Sequence, residues 1–253
     1  HHYQGKLTSE AETKEVDIRV GENCKGFSME LWTELPNVMA VSLVSPSGEV
    51  TSVFSPRTGN STTFSFLLDR TKAYLEYRLP AENTSSELIA FRFQDPVPGI
   101  WRLQVQASRI SDGNFHIWLP VTEFLSTEVY FLESNPDVTL TTPAEVREAV
   151  TVAYYDGRNQ SIGISSGRGF TRNQQIKPDI TAPGIAVEGV LPGNRYVNRS
   201  GSSAAAGITA GAVALLMEWL VYQLGTLSVD ALVVKSLLIL GARREKEIDY
   251  PSR

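Results

Sequence analysis

One segment near the carboxyl end of the chain constrains the fold more than any other. Residues 204–224 are almost uninterrupted apolar and small side chains, and Ser203 stands directly before them among Gly201, Ser202 and three alanines. A helix that is apolar on nearly all sides is typical of the centre of a domain. The first backbone N–H groups of a helix are unpaired and carry partial positive charge, which stabilises an anion beside them. The pattern predicts a buried central helix with Ser203 in its first turn, where a nucleophile could stand.

Ser203 could instead be a structural residue that caps this helix. Alanines on its carboxyl side cannot cover a serine, so we expect its hydroxyl to face an open side of the molecule. Ser200 or Ser202 would then be the better candidates for the capping role.

The first half of the chain follows a different pattern, with a period of two residues. Apolar side chains alternate with polar ones in short runs, and clusters of Pro, Gly, Asn and Asp separate the runs. Such alternation buries one face of a strand and exposes the other. Many short strands at this spacing predict an antiparallel β-sandwich over residues 14–132. The runs centre on Ile18, Met29, Val41, Phe66, Leu75, Leu103 and Ile117.

The pattern changes after the polar, proline-containing segment 133–137. Residues 150–155 and 176–180 predict strands, the latter ending at Pro183, and a second helix is predicted over residues 228–240 with Ser228 as its N-cap. Together with the apolar helix, these elements form half of a layered α/β domain. The predicted fold is therefore mixed, an antiparallel sandwich followed by part of an α/β domain.

Composition excludes several classes of function. A net charge of −5 argues against a nucleic-acid surface. The single Cys24 excludes an internal disulfide and a cysteine-based zinc site. The longest uncharged apolar run, residues 204–217, is shorter than a bilayer span, so no membrane segment is expected.

Two motifs in register resemble the subtilisin-like proteases, or subtilases. Residues 201–211 are similar to the family's serine signature, Gly-Thr-Ser-x-Ala-x-Pro-x-x-x-Gly, with Ser202 in place of the threonine and Gly207 in place of the proline. Residues 177–184, Lys-Pro-Asp-Ile-Thr-Ala-Pro-Gly, resemble the segment that precedes the serine in that family, at a fitting distance. The resemblance implies that Ser203 is the catalytic nucleophile.

Other stretches resemble one group within this family. Residues 98–105, followed by Gly113 and Trp118, are similar to jelly-roll modules attached to subtilases. Clostridial germination-type (Csp-like) subtilases carry such a jelly-roll inside their catalytic domain. The His-His-Tyr-x-Gly run at residues 1–5 resembles the segment that follows the oxyanion-hole asparagine in that group.

The resemblance implies a domain organisation. Residues 1–13 would be a linker from a preceding half of the catalytic domain, and residues 14–132 a jelly-roll insert. Residues 133–253 would be the C-terminal part of the subtilase catalytic domain, which carries the nucleophilic serine.

Serine chemistry needs a base, because a serine hydroxyl alone is a poor nucleophile. In the triad a histidine is the base, an aspartate orients it, and N–H donors stabilise the oxyanion. The subtilase order along the chain is Asp, His, Ser, so the resemblance places the Asp, the His and the oxyanion asparagine before residue 1. It implies a serine endopeptidase in the intact protein and an inactive fragment here.

None of the local candidates replaces these residues. The histidines are His1 and His2 at the start of the chain and His116, which we expect to face solvent on a sandwich strand. Asp156 and Asp179 are the acids nearest the serine motif, and we expect both to be structural.

The chemistry needs no cofactor. Some subtilases bind calcium, but no Asp-rich loop here requires it. The expected partners are a protein or peptide substrate and the other half of the catalytic domain, with no nucleic acid and no membrane span. Two alternatives stay open, a catalytically dead pseudoprotease or regulatory binding protein and a carbohydrate-binding sandwich. The latter would need exposed aromatic residues along one face, such as Trp32, Tyr74 and Trp118.

Overall fold

The computed structural model describes residues 1–56, 60–223, 225 and 229–243, without the side chain of Glu123. Contacts divide the chain into two units, His1–Asn135 and Pro136–Arg253, and each is treated by itself. The strands of the first unit are β1 (His2–Lys6), β2 (Thr13–Val20), β3 (Gly26–Glu34), β4 (Val38–Val44), β5 (Ser61–Ser65), β6 (Lys72–Arg78), β7 (Ser86–Gln94), β8 (Gly99–Arg109), β9 (Asn114–Trp118) and β10 (Val129–Phe131), with a 3₁₀ turn at Thr122–Phe124. The second unit contains β11 (Val152–Tyr155), β12 (Ile180–Pro183), β13 (Val187–Leu191), β14 (Arg195–Arg199), α1 (Ser202–Tyr222) and α2 (Ala231–Gly241).

The first unit consists of two antiparallel sheets around one apolar core. The six-stranded sheet has the order β1-β9-β3-β7-β6-β5, and the four-stranded sheet has the order β10-β2-β8-β4. Both sheets contribute to the core, whose largest fully buried side chain is Trp101 of β8. The mostly antiparallel architecture expected from the period-two runs is present.

Alternation along the strands explains how this core is filled. In β2 the side chains of Val16, Ile18 and Val20 are 1%, 0% and 0% exposed, whereas their neighbours face outward. Ile18 pairs across the strands with Trp101. Full burial of one such aliphatic side chain contributes roughly 1.5–3 kcal/mol, so this alternation stabilises the sandwich strongly.

The segment predicted as a linker, residues 1–13, contains a strand. β1 pairs with β9 over its whole length, from His2 opposite Trp118 to Lys6 opposite Asn114. Its inward positions are Tyr3 and Gly5, and a Cβ at Gly5 would lie 2.2 Å from the ring of Phe115. Gly5 leaves room for the ring of Phe115 and has no apolar side chain of its own. The sequence of this strand therefore shows no alternation of apolar and polar residues, and the strand could not be recognised from it. The sandwich therefore begins earlier than residue 14.

The second unit is built on a short parallel sheet of β11 and β12, with Val152 opposite Ile180 and Tyr155 opposite Pro183. Helix α1 packs against both strands, and β13 and β14 form an antiparallel hairpin. The strand predicted from residue 176 to Pro183 starts only at Ile180 and ends at Pro183, as expected. Before its start, the side chains of Lys177 and Asp179 bind polar partners.

The two helices match the predicted elements in type. Helix α2 begins at Ala231 with Asp230 as its N-cap, whose carboxylate accepts a hydrogen bond from the N–H of Leu232 at 2.7 Å. The predicted N-cap, Ser228, lies outside the described residues.

Helix α1 is largely exposed within this chain, as expected for a central helix in half of an α/β domain. Among its residues only Ala205, Thr209 and Leu220 are buried, and Leu215 and Tyr222 are 69% and 80% exposed. Two short strands and one further helix cannot cover all sides of a 21-residue helix. By length and composition alone α1 is also apolar enough to cross a membrane, but the core helix of a soluble protein passes the same test.

Candidate active site

Ser203 is the second residue of α1, and its side chain is exposed. Its hydroxyl has no hydrogen-bond partner in the part of the chain that the structure describes. The N–H of Ser203 is one of the first-turn donors that no carbonyl of the helix can reach. The expected position is therefore confirmed, with hydroxyl and N–H at the open, electropositive end of the helix.

Gly201 fixes the start of α1. It is the N-cap residue, and its φ of 138° is a conformation that side-chain-bearing residues rarely adopt. The N–H groups of Ala204 and Ala205 donate to its carbonyl at 3.1 and 3.3 Å. Among the residues that the structure describes, no side chain caps the helix, so the expectation that Ser200 or Ser202 does so is wrong. The Ser200 hydroxyl instead accepts a hydrogen bond from the N–H of Ala186 at 2.9 Å.

The two sequence motifs meet at this point. The carbonyl of Gly184 accepts a hydrogen bond from the N–H of Gly201 at 2.8 Å. A Cβ at Gly184 would lie 2.5 Å from Cβ of Tyr154 and 2.9 Å from the Gly201 carbonyl oxygen, so only glycine fits there. The loop that follows Pro183 therefore runs beside the start of α1.

Lys177 and Asp179, in the first part of the upstream motif, have a structural role. Lys177 is 2% exposed, and its ammonium donates to Oδ2 of Asp179 at 2.8 Å and to the carbonyl of Ala149 at 2.7 Å. The N–H of Thr151 donates to the same carboxylate oxygen at 2.7 Å. These bonds join the segment before β11 to the segment before β12.

Lys235 of α2 completes this buried cluster, and sequence patterns did not reveal it. Its ammonium lies 2.8 Å from Oδ1 of Asp179 and donates to the carbonyl of Arg147 at 2.7 Å. Burial lowers the pKa of Lys177, and the nearby Lys235 charge adds to this effect, whereas Asp179 opposes it. One carboxylate thus holds two ammonium groups and attaches α2 to the sheet.

Asp156 is also structural. Its carboxylate accepts a hydrogen bond from the N–H of Arg158 at 2.9 Å, and its carbonyl accepts one from Gln160 at 2.8 Å. Both contacts close the turn after β11. Neither Asp156 nor Asp179 is engaged with the Ser203 hydroxyl, which agrees with the expected structural roles.

His116 lies on the outer face of β9, as expected, but its ring is packed against neighbouring rings. Its Nδ1 lies 2.9 Å from Nε2 of His2, and its ring stacks on Trp118 at a centroid distance of 5.3 Å. His2 also stacks on Trp118, at 4.9 Å. These rings share the outer face of the six-stranded sheet because β1 pairs with β9, a pairing that the sequence did not indicate.

The aromatic residues named for carbohydrate binding lie on that same outer face but are differently engaged. Trp118 is stacked on the histidines, and Trp32 donates to Glu30 at 2.9 Å. Tyr74 is 39% exposed and borders a shallow groove of about 240 Å³ together with Arg92 and other polar side chains.

No group of three His, Cys, Asp or Glu side chains is arranged to hold a metal ion within residues 1–56, 60–223, 225 and 229–243.

Comparisons with known proteins show which family the chain is similar to. A family model described as the subtilase family, peptidase S8, matches residues 107–249, more than half of the chain. The structure of the Clostridium perfringens CspB protease is similar, with a TM-score of 0.85 and 27% sequence identity over 99% of this chain. The match covers 53% of that protease, so this chain spans about half of its length. No protein in the curated collections matches this sequence.

Proposed function

This chain belongs to the subtilase family, and we propose that it is the C-terminal part of a subtilisin-like serine endopeptidase whose nucleophile is Ser203. The observation that carries the proposal is the exposed, unpaired Ser203 hydroxyl in the first turn of α1, where both family motifs meet. The similar structure of a clostridial protease supports it.

In this proposal Oγ of Ser203 attacks the carbonyl carbon of the scissile peptide bond. A histidine from outside this chain takes the hydroxyl proton and passes it to the leaving amine, and an aspartate orients that histidine. Water then hydrolyses the acyl-enzyme. The N–H of Ser203 donates to the oxyanion, aided by the partial positive charge of the helix start. These steps need no metal or cofactor.

We further propose a role for the sandwich and for the half of the catalytic domain that lies outside this chain. The sandwich is a jelly-roll insert, and the remaining half of the catalytic domain supplies the Asp, the His and the oxyanion asparagine. The exposed apolar side chains of α1, such as Leu215, are the surface that this half would cover. The match to only half of the CspB protease supports this view. The proposed partners are that half and a protein or peptide substrate, with no nucleic acid and no membrane span.

The test is covalent labelling of the serine. In the complete protease a fluorophosphonate probe is expected to label Ser203 stoichiometrically, and Ser203→Ala abolishes labelling. Ser236→Ala, which removes an exposed serine from α2, is the matched control and is expected to label normally.

The present chain alone is expected neither to be labelled nor to release peptides from casein. Loss of one oxyanion donor costs roughly 10²–10³ in rate, and loss of the base costs more. A folded complete protein that is not labelled would support the pseudoprotease alternative, and labelling of the chain alone would show that the inactive-fragment proposal is wrong.

A further inference from the structure

Tyr154 of β11 is held in place from several sides. Its side chain is 5% exposed, and its hydroxyl lies 2.5 Å from Oγ of Ser165. Its backbone N–H donates to Oγ of Ser166 at 3.1 Å, and its carbonyl accepts from the N–H of Gly163 at 2.9 Å. Both ends of the residue are therefore bonded to the loop that follows β11.

Tyr154 contacts the segment that precedes Ser203. Its Cβ would lie 2.5 Å from a Cβ at Gly184, so the backbone of Gly184 rests directly on the tyrosine. The carbonyl of Gly184 in turn binds the N–H of Gly201 at 2.8 Å. The position of Tyr154 thus sets the position of Gly201, two residues before Ser203.

Tyr154 also shares a buried cluster with the segment that follows Ser203. Ala205 is fully buried and belongs to a small apolar cluster with Tyr154 and Ala182. Tyr154 therefore takes part in the packing on both sides of Ser203, through Gly184 before it and in the cluster with Ala205 after it. The Ser203 hydroxyl between them has no partner among the described residues that would orient it.

We infer that Tyr154 is a positioning residue, which holds the first turn of α1 so that Ser203 presents its Oγ correctly. This inference rests on the proposed function of Ser203. Tyr154 acts only through the backbone at Gly184 and the side chain of Ala205. Because a displacement of about 1 Å can cost roughly a hundredfold in rate, loss of this support affects the chemical step more than substrate binding.

The experiment compares variants of the complete protease in peptide hydrolysis and fluorophosphonate labelling. Tyr154→Ala is expected to lower kcat roughly ten- to a hundredfold with little change in KM, because the ring no longer fixes the helix start. Tyr154→Phe keeps the ring and is expected to restore kcat to within about twofold of the wild type. Tyr74→Ala, in the sandwich, is the matched tyrosine control and is expected to leave both constants unchanged.

A second variant changes the contact between Tyr154 and Gly184 at the glycine. Gly184→Ala places a methyl group against Tyr154 and the Gly201 carbonyl, and the same selective loss of kcat is expected. This variant decides the matter if Tyr154→Ala does not fold. A wild-type kcat in folded Tyr154→Ala and Gly184→Ala, or a rise in KM alone, overturns the inference. Absence of labelling in the wild type itself would instead reject the proposed function, so the two failures are distinguishable.

Discussion

The two units of the chain are stabilised by different means. The apolar core of the first unit contains 29 buried residues drawn from both sheets. The corresponding cluster of the second unit contains only three buried residues among those described, Tyr154, Ala182 and Ala205. Helix α2 is joined to this unit by the ion pair of Lys235 with Asp179, which also binds Lys177. A large apolar core makes a unit stable by itself, whereas the second unit leaves most of α1 exposed.

This difference separates the roles of the units. The sandwich has the properties of an independent scaffold, and the second unit carries the proposed reactive serine on elements that are incompletely covered. Variants that destabilise one unit and leave the other unchanged therefore test whether the two units are stabilised independently.

The largest effect is expected in the sandwich core. Trp101 is fully buried, donates to the carbonyl of Val97 at 3.0 Å and makes edge contacts with Phe66 and Phe93. Trp101→Ala is expected to lower the free energy of unfolding of the first unit by about 3–5 kcal/mol. Hydrogen exchange resolved by unit measures this change.

The neighbouring Ile100, which is 43% exposed, supplies the matched control. Ile100→Ala is expected to change the stability by less than about 1 kcal/mol. If Trp101→Ala also increased exchange throughout α1 and α2, the two units would not be independent.

A slightly smaller effect is expected at the buried charges of the second unit. Asp179→Asn leaves the ammonium groups of Lys177 and Lys235 without their carboxylate, which costs about 3 kcal/mol. The change is measured as faster amide exchange in α2 with no change in the sandwich. Asp156→Asn, whose amide oxygen can still accept from Arg158, is expected to have no effect. Normal protection of α2 in Asp179→Asn would mean that the cluster does not attach this helix.

Sequence patterns predict elements well where a local rule governs them. The alternating residues of β2 and the motif around Ser203 are of this kind, because neighbouring residues specify the strand face and the helix start. β1 was not predictable, since Tyr3 and Gly5 carry no alternation and only the Phe115 ring explains the glycine.

The other differences between the predicted and the observed structure arise from contacts between residues that are distant in the sequence. Lys235 is one lysine in an apolar helix, and nothing near it in the sequence indicates Asp179 as its partner. Likewise, the hydrophobicity of α1 expresses a tendency to be buried and cannot show which elements cover it. The sequence therefore predicts where α1 lies along the chain, but not which of its side chains are covered.

A pH-dependent effect of up to about 3 kcal/mol is expected from Glu87, in the first unit. This carboxylate is fully buried and accepts hydrogen bonds from the N–H of Met39 at 3.0 and 3.1 Å. Burial raises its pKa from 4.5 to about 7, although hydrogen bonds from Tyr77 and Met39 oppose the shift. The folded state therefore binds more protons than the unfolded state between these values.

The stability contributed by protonated Glu87 is present below its unfolded pKa and is lost as the pH rises to about 7. Urea unfolding of the sandwich at pH 5 and pH 8 is expected to show this decrease, and Glu87→Gln is expected to remove it. Glu22→Gln, at an exposed site, should leave the slope intact. An unchanged slope in Glu87→Gln would assign the pH dependence to other groups.

The smallest change in stability is expected in the first turns of the two helices. Asp230 caps α2 through its bond to the N–H of Leu232, so Asp230→Ala is expected to destabilise the first turn of α2 by about 1 kcal/mol. Asp230→Ser should retain most of the cap. In α1 no side chain binds the first-turn N–H groups, so Ser202→Ala should leave exchange in that turn unchanged. Amide exchange in both first turns measures the contrast. A capping side chain at α1 would occupy the donors that the proposed oxyanion needs, and equal effects in both helices would therefore contradict an open helix start beside Ser203.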